Sequence, residues 1–307
     1  MAVRRAQLCR TVSFYFTDSE YTPAMQSTRI IGAAVVIFLI CGGLIWYVAF
    51  REDRHGELTV SFLDIGQGDS IYVESPTGTQ VLIDGGVDST VVRRLGEVMP
   101  WWDRSIDLVI GTHPDADHIG GLIDVFSRYK VGTIMQSSVL GNTETWNAFE
   151  KTAKEETPNM VTAERGQVIR LGAGAYLEVL SPDRSVPDVE TNTGCVVTRL
   201  VYGKTSFMLS CDAPQAIEDY LVELDGTRLH STVMKPGHHG SKTATSPLWV
   251  GYVDPEYAVY SRGCNNKYGF PHKETIATLQ EFGIPTEDTC KQGTVTFVSD
   301  GEKVVLQ

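Results

Sequence analysis

Two histidines and two aspartates lie within six residues of one another, and their types and spacing point to chemistry. They are His113, Asp115, Asp117 and His118. Such side chains gain little from packing, and clustered carboxylates repel each other unless a cation lies between them. Imidazole and carboxylate groups are common ligands of zinc and similar divalent ions. The segment therefore indicates a metal site, in preference to a polar surface turn.

The elements around this cluster must hold it at the end of a strand. The apolar run Ile106–Gly111 predicts a buried strand directly before it. Alternating or branched runs predict further strands at 58–64, 70–74, 80–84, 131–136, 167–171, 174–180, 194–202, 205–211, 229–235 and 257–261. Apolar periodicity predicts helices at 88–98, 119–128, 144–156, 214–224 and 273–282, and a last hairpin turns at Ser299–Gly301. This order favours one large α/β domain, residues 58–307, built as a mixed sheet sandwich flanked by helices.

The charge balance excludes some functions. The 307 residues have a formal net charge of −12, with about +2 in the first 54 residues and about −14 in the rest. This argues against a protein that grips duplex DNA by charge alone, because that affinity comes from Lys and Arg replacing counterions. It suits carboxylates arranged around bound cations. With 42% hydrophobic and 21% charged residues, wholesale disorder is excluded.

An uncharged segment of 21 residues, Ile30–Phe50, precedes the domain. A helix of that length spans roughly 30 Å, the thickness of bilayer hydrocarbon. We expect a leader at 1–29, a single transmembrane helix at 30–50 in contact with the lipid bilayer, and a juxtamembrane linker at 51–57. A buried core helix and a cleavable signal peptide are the less favoured alternatives, because the segment is long for both.

The arginines that flank this segment favour one orientation. The leader has Arg4, Arg5, Arg10 and Arg29, whereas only Arg51 and Arg54 follow the segment closely. Cytoplasmic flanks carry the excess of positive charge. We therefore expect a cytoplasmic N-terminus and an extracytoplasmic domain.

The cysteines leave the compartment open. Those of the domain allow three pairings and lack the C-x-x-C spacing of a structural zinc site: Cys195, Cys211, Cys264 and Cys290. The first two fall on predicted strands joined by a turn near Gly203. For these two, free buried thiols are favoured over a bridge.

Several motifs in order resemble a known superfamily. The pattern H-x-D-x-D-H-x-G-G at 113–121 resembles the metal-binding signature of the metallo-β-lactamase fold, which usually reads H-x-H-x-D-H. Together with Asp64–Ser70, Gly237–Ser241 and Ser261–Gly269, it is more similar to the C-terminal domain of ComEC-type DNA-uptake proteins. The resemblance covers residues from about 58 to the C-terminus. It implies a four-layer αββα sandwich and a metal-dependent hydrolase.

The resemblance also implies two divalent metal ions, Zn²⁺ or Mn²⁺, and a set of residues around them. His113 and Asp115 match ligands of the first ion, and Asp117 and His118 match ligands of the second. Others match a bridging carboxylate, a further ligand of the second ion that is one of two adjacent histidines, and a carboxylate that orients ligands: Asp212, His238 or His239, and Asp84. A hydroxide shared by the two ions is the implied nucleophile, with Asp117 and Asp212 holding the ions.

The sequence departs from the superfamily at two places. Residues 119–211 contain no histidine, so the first ion lacks one usual ligand, and Asn192 matches an asparagine of the ComEC-like pattern instead. Phe270 stands where relatives often have a histidine before Pro271. His272 lies nearby, and we expect it to act as a general acid or a phosphate ligand, or else to be structural.

Substrate class follows from charge near the second histidine motif. Residues 235–273 carry five basic and two acidic groups, within an otherwise acidic domain. This segment suits an anionic phosphodiester such as single-stranded DNA or RNA, with contacts expected from Lys242, Arg262, Asn266 and Lys267. The favoured function is a phosphodiesterase or nuclease connected with DNA uptake or nucleic-acid scavenging. The alternatives are a hydrolase of a phosphorylcholine ester, lactone or β-lactam, or a non-catalytic nucleic-acid-binding module.

Overall fold

The computed structural model describes residues 23–52, 54–157 and 159–307, which fall into two units, Met1–Asp53 and Arg54–Gln307. In the first unit, helix α1 (Pro23–Glu52) contains the stretch Ile30–Tyr47, which is long and apolar enough to cross a membrane. Most of the predicted leader, residues 1–22, and position 53 of the predicted linker lie outside the described residues.

The second unit contains the strands and the remaining helices. The strands are β1 (Leu58–Phe62), β2 (Ile71–Glu74), β3 (Gln80–Ile83), β4 (Ser105–Gly111), β5 (Lys130–Gln136), β6 (Met160–Thr162), β7 (Val168–Gly172), β8 (Ala175–Ser181), β9 (Val197–Tyr202), β10 (Thr205–Leu209), β11 (Val233–Lys235), β12 (Tyr257–Tyr260), β13 (Thr286–Asp288), β14 (Val295–Ser299) and β15 (Val304–Leu306). The helices are α2 (Thr90–Val98), α3 (Ala116–Ile119), α4 (Leu122–Phe126), α5 (Glu144–Glu156), α6 (Gln215–Asp225), α7 (Pro247–Val253), α8 (Lys273–Glu281) and α9 (Thr289–Gln292).

Two mixed sheets face each other. The first has the order β15-β14-β1-β2-β3-β4-β5-β6, and the second has the order β13-β12-β11-β10-β9-β8-β7. Strands β3, β4 and β5 run parallel in the first sheet, as do β10 to β13 in the second. The carboxyl ends of parallel strands therefore meet at one edge of each sheet.

Side-chain alternation along the strands builds four layers. Val81 and Ile83 on β3 point into the core between the sheets, whereas Leu82 joins the core beneath α2, α4 and α5. On β10, Phe207 points between the sheets and Met208 packs under α6, α7 and α8. Because successive side chains on a strand face opposite ways, one apolar run supplies two cores. The predicted αββα sandwich is confirmed.

The differences from the sequence prediction are local. The short elements β6, β13, α7 and α9 were not predicted, and the expected helix 119–128 is two helices, α3 and α4. The break falls at Gly120 and Gly121, where the chain packs against the loop after β3 so closely that a Cβ on Gly121 would lie 2.1 Å from Gly85 O. A side chain there would force the two segments apart.

Two cysteines of the domain are free thiols, and two form a disulfide. Cys195 and Cys211 are free and buried, which confirms the prediction for that pair. Cys264 and Cys290 form a disulfide, which ties the loop after β12 to α9.

Candidate metal centre

The clustered residues converge at the edge where parallel strands of both sheets end. His113, Asp115, Asp117 and His118 follow β4 or lie in α3, and Asp84 follows β3. From the second sheet, Asp212 follows β10, and the two adjacent histidines His238 and His239 follow β11. The carboxyl ends of parallel strands thus place side chains from distant parts of the sequence in one centre.

On the side of β2, the backbone of the loop before this strand packs closely against α3, beside the centre. Asp69 N donates a hydrogen bond to Asp117 O at 3.2 Å, which brings the loop before β2 against α3. Gly68 makes this approach possible, because its φ is +120° and a Cβ there would lie 2.0 Å from Asp117 O. Gly68 therefore serves the geometry of the site.

Asp84 holds His118 in one orientation. It accepts hydrogen bonds from His118 Nδ1 at 2.7 Å, Thr112 N at 2.8 Å and Thr112 Oγ1 at 2.7 Å. With Nδ1 used in this way, Nε2 of His118 points toward Asp212 Oδ2, 3.3 Å away. A carboxylate behind a metal-ligating imidazole commonly fixes its tautomer, so this contact supports the predicted orienting role of Asp84.

His239 is oriented in a similar way from the second sheet. Its Nδ1 donates to the carbonyl of Ser261 at 3.0 Å, and its Nε2 lies 3.4 Å from both Asp117 Oδ2 and Asp212 Oδ2. His239 is buried, whereas the side chain of His238 is 27% exposed and its Nε2 lies 3.7 Å from Asp212 Oδ2. The geometry favours His239 as the ligand and leaves His238 at the mouth of the centre.

The hydrogen bonding of three buried imidazole nitrogens shows whether the residues of the centre suit a metal ion. Nε2 of His113, of His118 and of His239 makes no hydrogen bond to the residues that the structure describes. A buried polar atom without a partner is costly, yet these three face carboxylate oxygens 3.3 to 3.6 Å away. Imidazole Nε2 and aspartate oxygen together are a fitting donor set for zinc or manganese.

Burial and nearby charged groups shift the pKa values of the titratable side chains in the centre. Burial lowers the pKa of His118 and of His239, but Asp212 and other nearby carboxylates outweigh this and raise both well above the usual range. Burial raises the pKa of Asp212, yet the facing histidines and a lysine leave it well below its usual range. A metal bound here must therefore compete with protons for the imidazole nitrogens.

Sequence reasoning did not single out Lys235 and Asp69 as parts of this centre. The Lys235 ammonium is 1% exposed, donates to Cys211 O at 2.8 Å, lies 3.4 Å from Asp212 Oδ1 and pairs with Asp69. Asp69 Oδ1 lies 3.3 Å from His239 Nδ1. The only sequence signal was their place in or beside the matched motifs, and the lysine was counted with a basic segment.

A thiol also lies in the centre without having been predicted there. Cys211 Sγ lies 3.4 Å from His113 Nδ1, and the cysteine is buried with a φ of +50°. The thiol and the rings of His113 and His118 form one of the groups whose atoms lie close enough to share a metal ion. Burial raises the pKa of this thiol well above its usual value.

Asn192 lies in the turn before β9. In the same segment, Val196 N donates to Thr112 O at 3.0 Å, and Asn192 Oδ1 is buried with no partner among the described residues. An amide oxygen in that state can accept a hydrogen bond. The predicted role of Asn192 stays a prediction.

The residues expected to contact substrate have different surroundings. Arg262 is 9% exposed, and its Nε donates to Asp288 Oδ2 at 3.1 Å. Asn266 Nδ2 donates to the carbonyls of Gly263 and Phe270, and its Oδ1 accepts from Phe270 N. These two residues shape the loop after β12, and only Lys242 and Lys267 of the expected set are exposed.

His272 also has partners of its own. Its Nδ1 accepts from Lys242 N at 3.0 Å, and its Nε2 donates to the carbonyl of Tyr268 at 3.2 Å. Both ring nitrogens are therefore engaged with the backbone. This arrangement favours the structural alternative over a general acid.

Aromatic rings line one wall of the centre. Phe270, which is 8% exposed, packs against the rings of His238 and His239, with centroids 5.4 and 6.0 Å away. Tyr268 stacks on Phe270 at 5.3 Å, is 49% exposed, and has Lys267 Nζ 5.2 Å from its ring. Phe270 thus starts an aromatic wall that leads to solvent.

Comparison with known proteins shows which curated proteins the chain is similar to. The chain is 29% identical over 275 residues to "ComE operon protein 3" of Bacillus subtilis, covering 84% of this chain and 35% of that protein. It is 27% identical over 288 residues to "Recombination protein 2" of Haemophilus influenzae, covering 92% of this chain and 34% of that protein. The chain therefore spans about a third of the length of these relatives. The resemblance to ComEC-type proteins is confirmed.

Solved structures and a family model agree on the fold. CmlA, a diiron β-hydroxylase from Streptomyces venezuelae, superposes with a TM-score of 0.52 and 13% identity, over 81% of this chain and 54% of that one. The model of the metallo-beta-lactamase superfamily matches residues 63–263, a span that contains His113, Asp212 and His239. The chain belongs to the metallo-beta-lactamase superfamily.

Proposed function

We propose that the domain hydrolyses phosphodiester bonds in single-stranded nucleic acid, using two divalent ions of zinc or manganese. The observation that carries the metal requirement is a set of three buried Nε2 atoms without hydrogen bonds to the described residues. That of His113 faces Asp115, and those of His118 and His239 face Asp117 or Asp212. When bound, such ions lower the pKa of water and offset charge on a phosphoryl group. The superfamily fold supports a metal-dependent hydrolase in general, and the phosphodiester is our proposal.

The residues of the site would have different roles toward the ions and the substrate. His113 and Asp115 would hold one ion, and Asp117, His118 and His239 the other. Asp212 turns Oδ2 toward the imidazoles, while its Oδ1 faces the ammonium of Lys235. Partly exposed at the mouth, His238 is placed to hydrogen-bond a substrate oxygen.

The surface around the mouth supports a nucleic-acid substrate. Tyr268 offers an exposed ring for a base to stack on, and Lys242 and Lys267 are exposed cations that suit phosphate. Stacking on aromatic rings together with backbone attraction to cations is typical of single-strand recognition. A phosphorylcholine ester, lactone or β-lactam would have less use for this combination.

The disulfide supports the proposed location of the domain. An exposed cysteine, Cys264, is bridged to Cys290, and such bridges persist in oxidising compartments. With the leader arginines, this favours a single-pass membrane protein with an extracytoplasmic hydrolase domain. We further propose that it acts in DNA uptake or in scavenging of nucleic acid.

The test is hydrolysis by the full chain in detergent, with added Mn²⁺ or Zn²⁺. Single-stranded DNA, RNA and bis(p-nitrophenyl) phosphate are compared with a phosphorylcholine ester, a lactone and a β-lactam. We expect metal-dependent cleavage of the nucleic acids, lost in Asp212→Asn and kept in Asp219→Asn, which makes the same change at an exposed position on α6. Cleavage of another substrate class alone, or cleavage that survives Asp212→Asn, would refute the proposal.

A further inference from the structure

Two exposed tryptophans lie at the end of the domain opposite the metal centre. Trp101 is 77% and Trp102 is 38% exposed, with ring centroids 5.6 Å apart. They precede β4, whereas the metal-site residues follow it. Seven residues of strand separate the two by about 20 Å. Two neighbouring exposed indoles indicate an interaction surface.

The loop that carries the pair is fixed by hydrogen bonds. Asp103 N donates to Pro100 O at 3.0 Å, and Lys130 N donates to Arg104 O at 2.8 Å. The Asp103 carboxylate accepts from Gln80 Nε2 at 2.7 Å and from Ser105 N at 3.0 Å. The two indoles are therefore held outward by an anchored turn.

Basic side chains lie at the same end of the domain as the pair, although the domain is acidic as a whole. Arg104 and Arg128 precede β4 and β5, Lys130 is the first residue of β5, and all three are exposed. Two carboxylates at this end, Asp103 and Asp107, accept hydrogen bonds from Gln80. An exposed aromatic pair with exposed cations at the same end suits an anionic lipid surface.

The chain that leads to α1 leaves from this same end of the domain. Arg54 Nε donates to Glu74 Oε1 at 2.6 Å, and Glu74 pairs in register with Gln80, whose side chain reaches Asp103. Arg54 is thus beside the loop of the tryptophans. Only residues 48–53 separate it from Tyr47, the end of the apolar stretch, and six residues reach at most about 20 Å.

We propose that Trp101 and Trp102, with Arg104, Arg128 and Lys130 at the same end of the domain, dock the domain on the interface of an anionic bilayer. The inference requires that α1 crosses that bilayer, and it is independent of the hydrolytic function. The metal centre then faces away from the membrane, because it lies at the opposite end of β4.

The experiment measures tryptophan fluorescence of the full chain in nanodiscs of phosphatidylcholine and phosphatidylglycerol, with brominated or ordinary acyl chains. Trp46 lies within the apolar stretch, so it is replaced in a Trp46→Phe background, and its own quenching in the unmodified chain reports insertion of α1. The remaining tryptophans, Trp146 and Trp249, are buried. We expect brominated lipid to quench the background protein and to lose that effect in Trp101→Phe/Trp102→Phe.

Two comparisons make the result specific. Trp146→Phe on the same background removes a buried emitter and should leave the lipid-dependent quenching in place. Arg104→Gln/Arg128→Gln/Lys130→Gln, or omission of phosphatidylglycerol, should weaken it. Quenching that does not depend on the tryptophan pair, with α1 inserted, would overturn the proposal. So would a pair that is open to aqueous acrylamide, or one that is shielded from both quenchers by protein.

Discussion

Lys235 and Asp212 share a buried contact that leaves one carboxylate oxygen for the metal centre. The ammonium lies 3.4 Å from Oδ1 of Asp212, while Oδ2 lies within 3.4 Å of Nε2 of both His118 and His239. A cation built into the protein thus sits beside the place where the metals would bind. It limits how Asp212 can turn and offsets the charge of the buried Asp69.

Replacing the ammonium tests this arrangement. Lys235→Met keeps the length of the side chain and leaves two buried carboxylates without their cation, which commonly costs about 3–5 kcal/mol. We expect a lower melting temperature and metal affinity reduced about 10- to 100-fold, measured by metal analysis and calorimetry. Lys204→Met removes an exposed ion pair with Glu302 and should change neither quantity. A Lys235→Met protein with normal metal content would contradict the role given to this residue.

The glycine beside Asp117 gives a second test. Gly68→Ala would place a Cβ 2.0 Å from Asp117 O, so the loop before β2 must move away from α3. Gly66→Ala is the matched control, because φ there is also positive, at +82°, but the new Cβ has nothing within 4 Å. We expect Gly68→Ala to lose bound metal as well as stability, whereas Gly66→Ala should lose only about 1–2 kcal/mol. Equal metal content in the two variants would argue against the steric explanation.

Tyr268 should matter for nucleic acid and little for small diesters. Removing one base–aromatic stack costs about 1–3 kcal/mol, so Tyr268→Ala should lower kcat/KM on single-stranded DNA about 5- to 150-fold, mainly through KM. Tyr268→Phe keeps the ring and should retain most of the activity. The comparison substrate is methyl p-nitrophenyl phosphate. If Tyr268→Ala affected it as strongly as DNA, the residue would act on the metal centre and not on the bases.

The stability of the metal-free protein should depend on pH in a definite direction. Burial lowers the pKa of His118 and His239, but the facing carboxylates hold it well above the usual value of about 6.5. A group with a raised folded pKa stabilises fully below its unfolded pKa, and that contribution is lost as pH rises through the folded one. With a chelator present, the melting temperature should fall as the pH is raised from about 6.5 into the alkaline range. A rise over that interval would contradict the protonated imidazoles.

The disulfide makes a prediction about the loop after β12. Cys264→Ser/Cys290→Ser releases a closed segment with a separation of 26 residues, which costs about 3 kcal/mol by chain entropy. The loop carries Tyr268, so we expect a raised KM for DNA with unchanged metal content. Cys195→Ser, at a buried free thiol, controls for the chemical change. Loss of metal in the double variant would show that the loop supports the centre itself.

How far the sequence predicted the site depended on distance along the chain. The four residues from His113 to His118 are local, so their types and spacing sufficed to propose a metal site. His238 and His239 could not be separated, because both lie in one turn with positive φ and only the fold shows which ring is buried. The predicted ligand roles stay predictions.

Long-range partners were harder to foresee. Asp69 and Lys235 meet only because the start of β2 and the end of β11 lie at the same side of the two sheets. Arg262 was expected at the substrate, since nothing local showed that Asp288, 26 residues further on, would engage it. The strands themselves were predicted well, because alternation along a strand is a local signal that two facing cores require.

The residues of the centre come from both sheets, and this couples two equilibria. A metal held by His118 from one half and Asp212 from the other would cross-link the sandwich, so that opening the halves and releasing the ion would become one event. The free energy of unfolding would then rise with the logarithm of free metal concentration. For this domain a chelator would act as a denaturant, and the supply of metal in its compartment would set its lifetime.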